Sequence, residues 1–156
     1  RLDLSNVKFI SEEDYLQINK RSGVNDGDIL FGMIGTIGNP VKVKSSNYAI
    51  KNVALIKEKA DLLNKFLIYY LSSHDIKKQI YRLNAGGTQK FVALGVLRNL
   101  TVKLPTQKEQ QKIATVLTNA DKEIELLQQQ LADLQQEKKA LMQVLLTGKK
   151  RVKLND

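Results

Sequence analysis

From Gln107 to Leu146 forty consecutive residues contain neither glycine nor proline, and within them apolar side chains return in alternating steps of four and three. The series runs Ile113, Leu117, Ala120, Ile124, Leu127, Leu131 and Leu134, then resumes at Leu141 and Leu145. That is the heptad spacing that keeps one thin stripe on one side of a helix. At a rise of about 1.5 Å per residue the segment is predicted to form a single helix about 60 Å long. Thr106-Gln107-Lys108-Glu109 has the form of a capping box at its start, and Gly148 is a natural stop at its end. The 105 residues in front of it cannot cover so long and narrow a stripe. The helix therefore calls for a second helix. Lys138 falls at a seam position between Leu134 and Leu141. Two readings stand open: its ammonium snorkels past the seam into water, or the charge fixes register, orientation or partner.

The preceding part reads differently. A short helix is expected near residues 12–19, where acidic side chains crowd the turn after Ser11. Asn25-Asp26-Gly27-Asp28 is turn chemistry, and Ile29 to Ile34 is an apolar run suited to a buried strand. Gly35, Gly38, Asn39 and Pro40 break the chain; Val41-Lys42-Val43-Lys44 alternates, so a strand there would turn both lysines to solvent. Val53 to Ile56 suggests another strand, Leu62 to Ser72 and His74 to Arg82 two packed helices, and Leu100 to Leu104 a last strand before Pro105. The expected class is α+β: a small, curved, β-rich domain with packed helices over residues 1–105, a long coiled-coil helix over 106–148, and a basic tail over 149–156.

The chain carries a formal charge of +9, and residues 1–105 hold 16 basic against 9 acidic side chains, net +7, whereas 106–156 hold 9 against 7, net +2. The excess lies in the globular part. It suits a polyanionic partner such as DNA, although a lysine-rich soluble surface explains the charge equally well. No apolar run is long enough for a membrane span, and no targeting segment is visible. With no cysteine there is neither a disulfide framework nor thiol chemistry, which suits a cytoplasmic setting. One histidine and scattered carboxylates give no metal-ligand spacing, so no metal and no cofactor is expected. A nuclease would need clustered acids with a lysine, and Asp28 has no evident companion around Lys57-Glu58-Lys59. His74 and Asp75, adjacent on a helix, point apart and are expected to lie on its surface. The chain is expected to be catalytically silent.

Ordered motifs add a family resemblance. Leu104-Pro105-Thr106-Gln107-Lys108-Glu109-Gln110-Gln111-Lys112-Ile113 resembles the Pro-x-x-x-Glu-Gln-x-x-Ile signature that opens the spacer helix of type I restriction-modification specificity subunits. Lys138 to Lys149 looks like that family's Lys-x-x-Leu-x-x-x-Leu-Leu-Thr-Gly ending. Gly27-Asp28-Ile29-Leu30, Phe66 to Ser73 and Gly87-Thr88-Gln89-Lys90 occur in the order and approximate spacing of its target-recognition domains. The resemblance implies sequence-specific binding of double-stranded DNA, one half of a bipartite site per recognition domain, and assembly with methyltransferase and restriction subunits. Such subunits usually carry two recognition domains separated by two long helices paired antiparallel. One of each is present here and the first residue is Arg1, so a half-subunit or fragment is expected, its recognition domain incomplete at the N-terminus. It would pair with a second half or a second copy along Ile113, Leu117, Ala120, Ile124, Leu127, Leu131, Leu134, Lys138, Leu141 and Leu145.

Base reading requires side chains that fork onto base edges, and phosphate contacts that set position. Arg82, Asn84, Thr88, Gln89 and Lys90 are the candidates for the first task, with Gly87 allowing a close backbone approach. Lys20, Arg21, Lys42 and Lys44 are the candidates for the second. The bland alternative for the loop is a solvated turn. For the whole chain the rival is a coiled-coil adaptor whose basic domain binds a protein or a membrane surface without reading DNA sequence.

Overall fold

A computed structural model of the chain describes residues 5–35, 37–83 and 91–153. The chain divides into two compact units, Arg1–Ala114 and Thr115–Asp156.

The first unit begins with helix α1, Glu12–Ser22, whose first turn is fixed by Ser11: its hydroxyl accepts from the Asp14 amide at 3.1 Å. Three acidic residues at this end and Lys20 and Arg21 at the other complement the helix dipole. Strands β1 (Ile29–Gly32), β2 (Gly38–Lys42) and β3 (Val53–Ile56) form an antiparallel sheet in the order β2-β1-β3. The β1–β2 register slips between Leu30 and Gly32, the irregularity that bends a short sheet.

Central strand β1 is buried on both faces, which explains its unbroken apolar run. Ile29 and Phe31 belong to one core with Ala54, Leu67, Leu71, Ile76, Ile80 and Val92; Leu30 points the other way, to Val24 and Val43. The first core is closed by helices α2 (Asn64–Ser72) and α3 (His74–Leu83), and by α4 (Leu94–Arg98), which contributes Val96 and Leu97. Gly38, Asn39 and Pro40, expected to break the chain, open β2 instead, and the strand ends at Lys42, short of the expected Lys44; beyond it Val43 is buried and Lys44 exposed. Lys42 is half-buried instead of facing solvent, since it closes β2 against Ile29.

A strand expected at Leu100–Leu104 does not form. Side chains take the bonds a neighbouring strand would have supplied: the Thr101 amide donates to Gln79 Oε1 at 2.9 Å, and the Lys103 amide to the Tyr70 hydroxyl at 3.1 Å. Gln79 Nε2 in turn donates to the Thr101 carbonyl. An amide side chain that both donates and accepts substitutes for one rung of a ladder.

Helix α5, Gln107–Leu146, starts in the first unit and supplies most of the second. Thr106 Oγ1 accepts from the Glu109 amide, as the capping box predicts. At the far end Gly148 adopts φ 73°, its amide donates to Leu145 O at 3.2 Å and the Lys150 amide to Val144 O at 3.1 Å, a left-handed termination that a glycine allows. In the second unit the helix buries no residue, and Leu127, Leu131 and Leu134 are 57%, 57% and 62% exposed. The apolar stripe stands uncovered along a single chain. Among the described residues no helix is long and apolar enough to cross a membrane.

Candidate nucleic-acid interface

Sheet register places the basic candidates. Ile29, the first residue of β1, pairs with Lys42 on one side and Ile56 on the other. The ends of β2 and β3 therefore flank the start of β1, and the segments leaving them carry Lys44 and Lys57 to the same end of the sheet. The C-terminus of α1 is tied to this end too: Lys57 Nζ donates to Gly23 O at 2.6 Å, just beyond Lys20 and Arg21. Tyr15, also on α1, donates its hydroxyl proton to Ser46 O at 2.8 Å, holding the segment after Lys44 against the helix. Lys20, Arg21 and Lys44 are exposed, so their charges remain available to a ligand.

Of the base-reading candidates, Arg82 alone is described. Asn84, Gly87, Thr88, Gln89 and Lys90 lie outside the described residues. Arg82 is exposed in the last turn of α3. The loop's far anchor is fixed: Phe91 bridges to Ile34, and the Val92 amide donates to Met33 O at 2.8 Å. Met33 and Ile34 follow the end of β1, whereas Lys42 and Lys44 lie beside its start. At about 3.3 Å per strand residue, five residues separate the two ends by roughly 16 Å. The structure thus groups Lys20, Arg21, Lys42 and Lys44 and sets the loop's C-terminal anchor apart from them.

Asp28 pairs with one lysine of the Lys57-Glu58-Lys59 segment. Its buried carboxylate lies 2.8 Å from Lys57 Nζ and also accepts from the Asn25 amide at 2.7 Å. One carboxylate with one lysine links α1, β1 and β3; it assembles no acidic cluster, and among the described residues no three His, Cys, Asp or Glu side chains could hold a metal ion. Asp75 accepts from Tyr70 and Gln79, a helix-surface arrangement.

Gln110 is the residue whose role spacing could not reveal. Fully buried, it accepts from the Leu63 amide at 3.0 Å and donates to Asp61 O and Pro105 O, each at 2.9 Å. Gln107 donates to Ala60 O one turn earlier. The first turn of α5 is thereby stitched to the segment that leads into α2, where Glu58 accepts from the Asn64 amide and Asn64 Nδ2 donates to Gly27 O. The available sequence signal was Gln110's place in the Pro-x-x-x-Glu-Gln signature.

Residues 3–136 match the family described as the type I restriction modification DNA specificity domain, a span that takes in both the sheet domain and most of α5. The chain is 31% identical over 155 residues to the type I restriction enzyme MjaVIII specificity subunit of Methanocaldococcus jannaschii, covering 94% of this chain and 36% of that one. It is 32% identical over 131 residues to the putative type I restriction enzyme MjaX specificity subunit of the same organism, covering 83% and 30%. It spans about a third of the length of these relatives. The fold resembles that of the HsdS subunit from Thermoanaerobacter tengcongensis, with TM-score 0.61 at 20% identity over 78% of this chain and 33% of that one. A chain from a structure of a type I R-M system gives 0.64 at 21%, covering 78% and 30%. The chain belongs to the type I restriction modification DNA specificity domain family.

Proposed function

We propose that this chain reads one half of a bipartite DNA site, without catalysis of its own and without a cofactor, for a cytoplasmic type I restriction-modification complex. The observation that carries this reading is the family match, which runs through the sheet domain and on along α5. Recognition domain and spacer helix are thus matched together, not a coiled coil alone, which favours DNA reading over the adaptor alternative. In this reading Lys20, Arg21, Lys42 and Lys44 contact phosphates at one end of the sheet. Arg82, Asn84, Thr88, Gln89 and Lys90 reach base edges, with Gly87 giving room.

Methyltransferase and restriction subunits would supply the chemistry. The stripe from Ile113 to Leu145, exposed from Leu117 onward, would pair with the equivalent stripe of a second half or second copy, running antiparallel. Footprinting with the methyltransferase subunit present tests the proposal: protection of one defined sequence, weakening steeply with salt, is expected. Equal protection of unrelated duplexes would overturn it.

A further inference from the structure

Building on the pairing reading above, we infer that two copies of this chain pair in a single antiparallel register, fixed by a layer in which Lys138 of one copy lies over Ala120 of the other. The seam residues of the second unit are exposed along a single chain, and only two of them depart from a medium-sized aliphatic side chain: Ala120 and Lys138. A two-fold axis makes every contact reciprocal, so residue i facing j means j faces i. With the axis level with Gln129, Leu127 faces Leu131, Ile124 faces Leu134 and Ala120 faces Lys138. Leu117 then faces Leu141, and no seam position is left over. The smallest side chain stands opposite the longest, twice.

Other arrangements lose this match. A shift of one heptad sets Lys138 against Leu127 or Ile113, with no room for its stem, and Ala120 against Leu131 or Leu145, leaving a gap. A parallel pair in register sets Lys138 against Lys138 and Ala120 against Ala120, a buried repulsion and an empty layer. Charge agrees with shape. Helical side chains lean toward their own N-terminus, so in an antiparallel pair Lys138 leans from the level of Ala120 toward Glu123 of the other copy. Glu137, beside Lys138, approaches the same Glu123, and the ammonium between the two carboxylates offsets their repulsion. The groove formed by Leu134, Lys138, Leu141 and Leu145 is the half of the seam that receives Leu117, Ala120 and Ile124.

The chain contains no cysteine, so introduced thiols report on pairing directly. Ala120→Cys and Lys138→Cys full-length chains, co-expressed and mildly oxidised, are expected to give a disulfide-linked heterodimer, while neither chain alone gives linked dimer. Self-linking of either single variant would mean parallel pairing. A dominant product from Ala120→Cys with Leu131→Cys would mean a shifted register. Either result overturns the assigned register while leaving pairing intact. In the unmodified chain Lys138→Glu, which sets a third carboxylate beside Glu123 and Glu137, is expected to weaken association at least tenfold, and Glu123→Lys in the same chain to recover most of the loss; no recovery removes the ion-pair part of the argument. A one-chain mass by light scattering, with no linked product in any combination, would sink the pairing reading as well.

Discussion

Gln110 shows how much one side chain can hold. Its amide serves three backbone groups from a fully buried position. In Gln110→Leu the shape is nearly kept, but the Leu63 amide and the Asp61 and Pro105 carbonyls lose their partner. Since a buried unsatisfied group costs about 1–3 kcal/mol, a loss of about 3 kcal/mol is expected, read as a lower urea midpoint of the full chain. An unchanged midpoint would mean that water replaces the amide at no cost. The pair Asp28 and Lys57 supplies an asymmetric test. Asp28 is 6% exposed at its side chain and also accepts from Asn25, whereas Lys57 is 48% exposed and keeps its ammonium partly hydrated. Lys57→Met, which strands the buried Asp28 carboxylate with the Asn25 amide, is therefore expected to cost about 2–3 kcal/mol, and Asp28→Ala, which leaves a hydrated ammonium, about 1 kcal/mol. Equal losses by the same denaturation would contradict the burial argument. None of these partners is legible from sequence spacing, because Asp28 and Lys57 are 29 residues apart and Leu63 and Gln110 are 47 apart. Local rules of periodicity and capping do not see across such distances.

Elements with a strong local signal match their expectation. The α5 stripe, the Ser11 and Thr106 caps and the Val53–Ile56 strand depend on neighbours within four residues or on simple burial. The segment from Leu100 to Leu104 failed as a strand because a glutamine on α3 and a tyrosine on α2 satisfy its backbone, a tertiary choice that alternation cannot register. The proposed base-reading residues rest on resemblance alone, since the sequence from Asn84 to Lys90 has no periodicity. The two proposed tasks, phosphate contact and base reading, separate by measurement. Lys44→Ala removes a charge placed for phosphate, so it should weaken specific and unrelated duplexes alike and reduce the log–log salt slope by about one. Gln89→Ala removes a base-reading amide, so it should lower discrimination by about 1–3 kcal/mol while leaving the slope unchanged. Fluorescence anisotropy titrations of both duplexes over a salt series check the pair, and matching behaviour of the two variants would count against the division of labour.

At the scale of the whole molecule, α5 runs unbroken from Gln107, stitched into the first unit, to Leu146 in the second, with its aliphatic stripe uncovered in a lone chain. Burying that stripe against its two-fold copy would join two recognition domains into one particle. Linking two readers converts the second binding event into an intramolecular one, worth about 10²–10⁴ in affinity when both halves can engage. The gain requires geometry. A duplex with two inverted half-sites at the right separation should bind that much more tightly than one with a single half-site. Adding about five base pairs between the halves turns the second by half a helical turn, since a full turn takes 10–10.5 base pairs, and should cancel the gain. Leu127→Asp should abolish it independently, because a carboxylate buried mid-seam costs about 3–5 kcal/mol of association, yet leave single-half binding in place, Leu127 being exposed in the lone chain. Mobility-shift titrations of the three duplexes at one salt concentration, with light scattering of the variant, make the comparison. A gain that survives either the added base pairs or Leu127→Asp would mean that the two readers are not coupled through this helix.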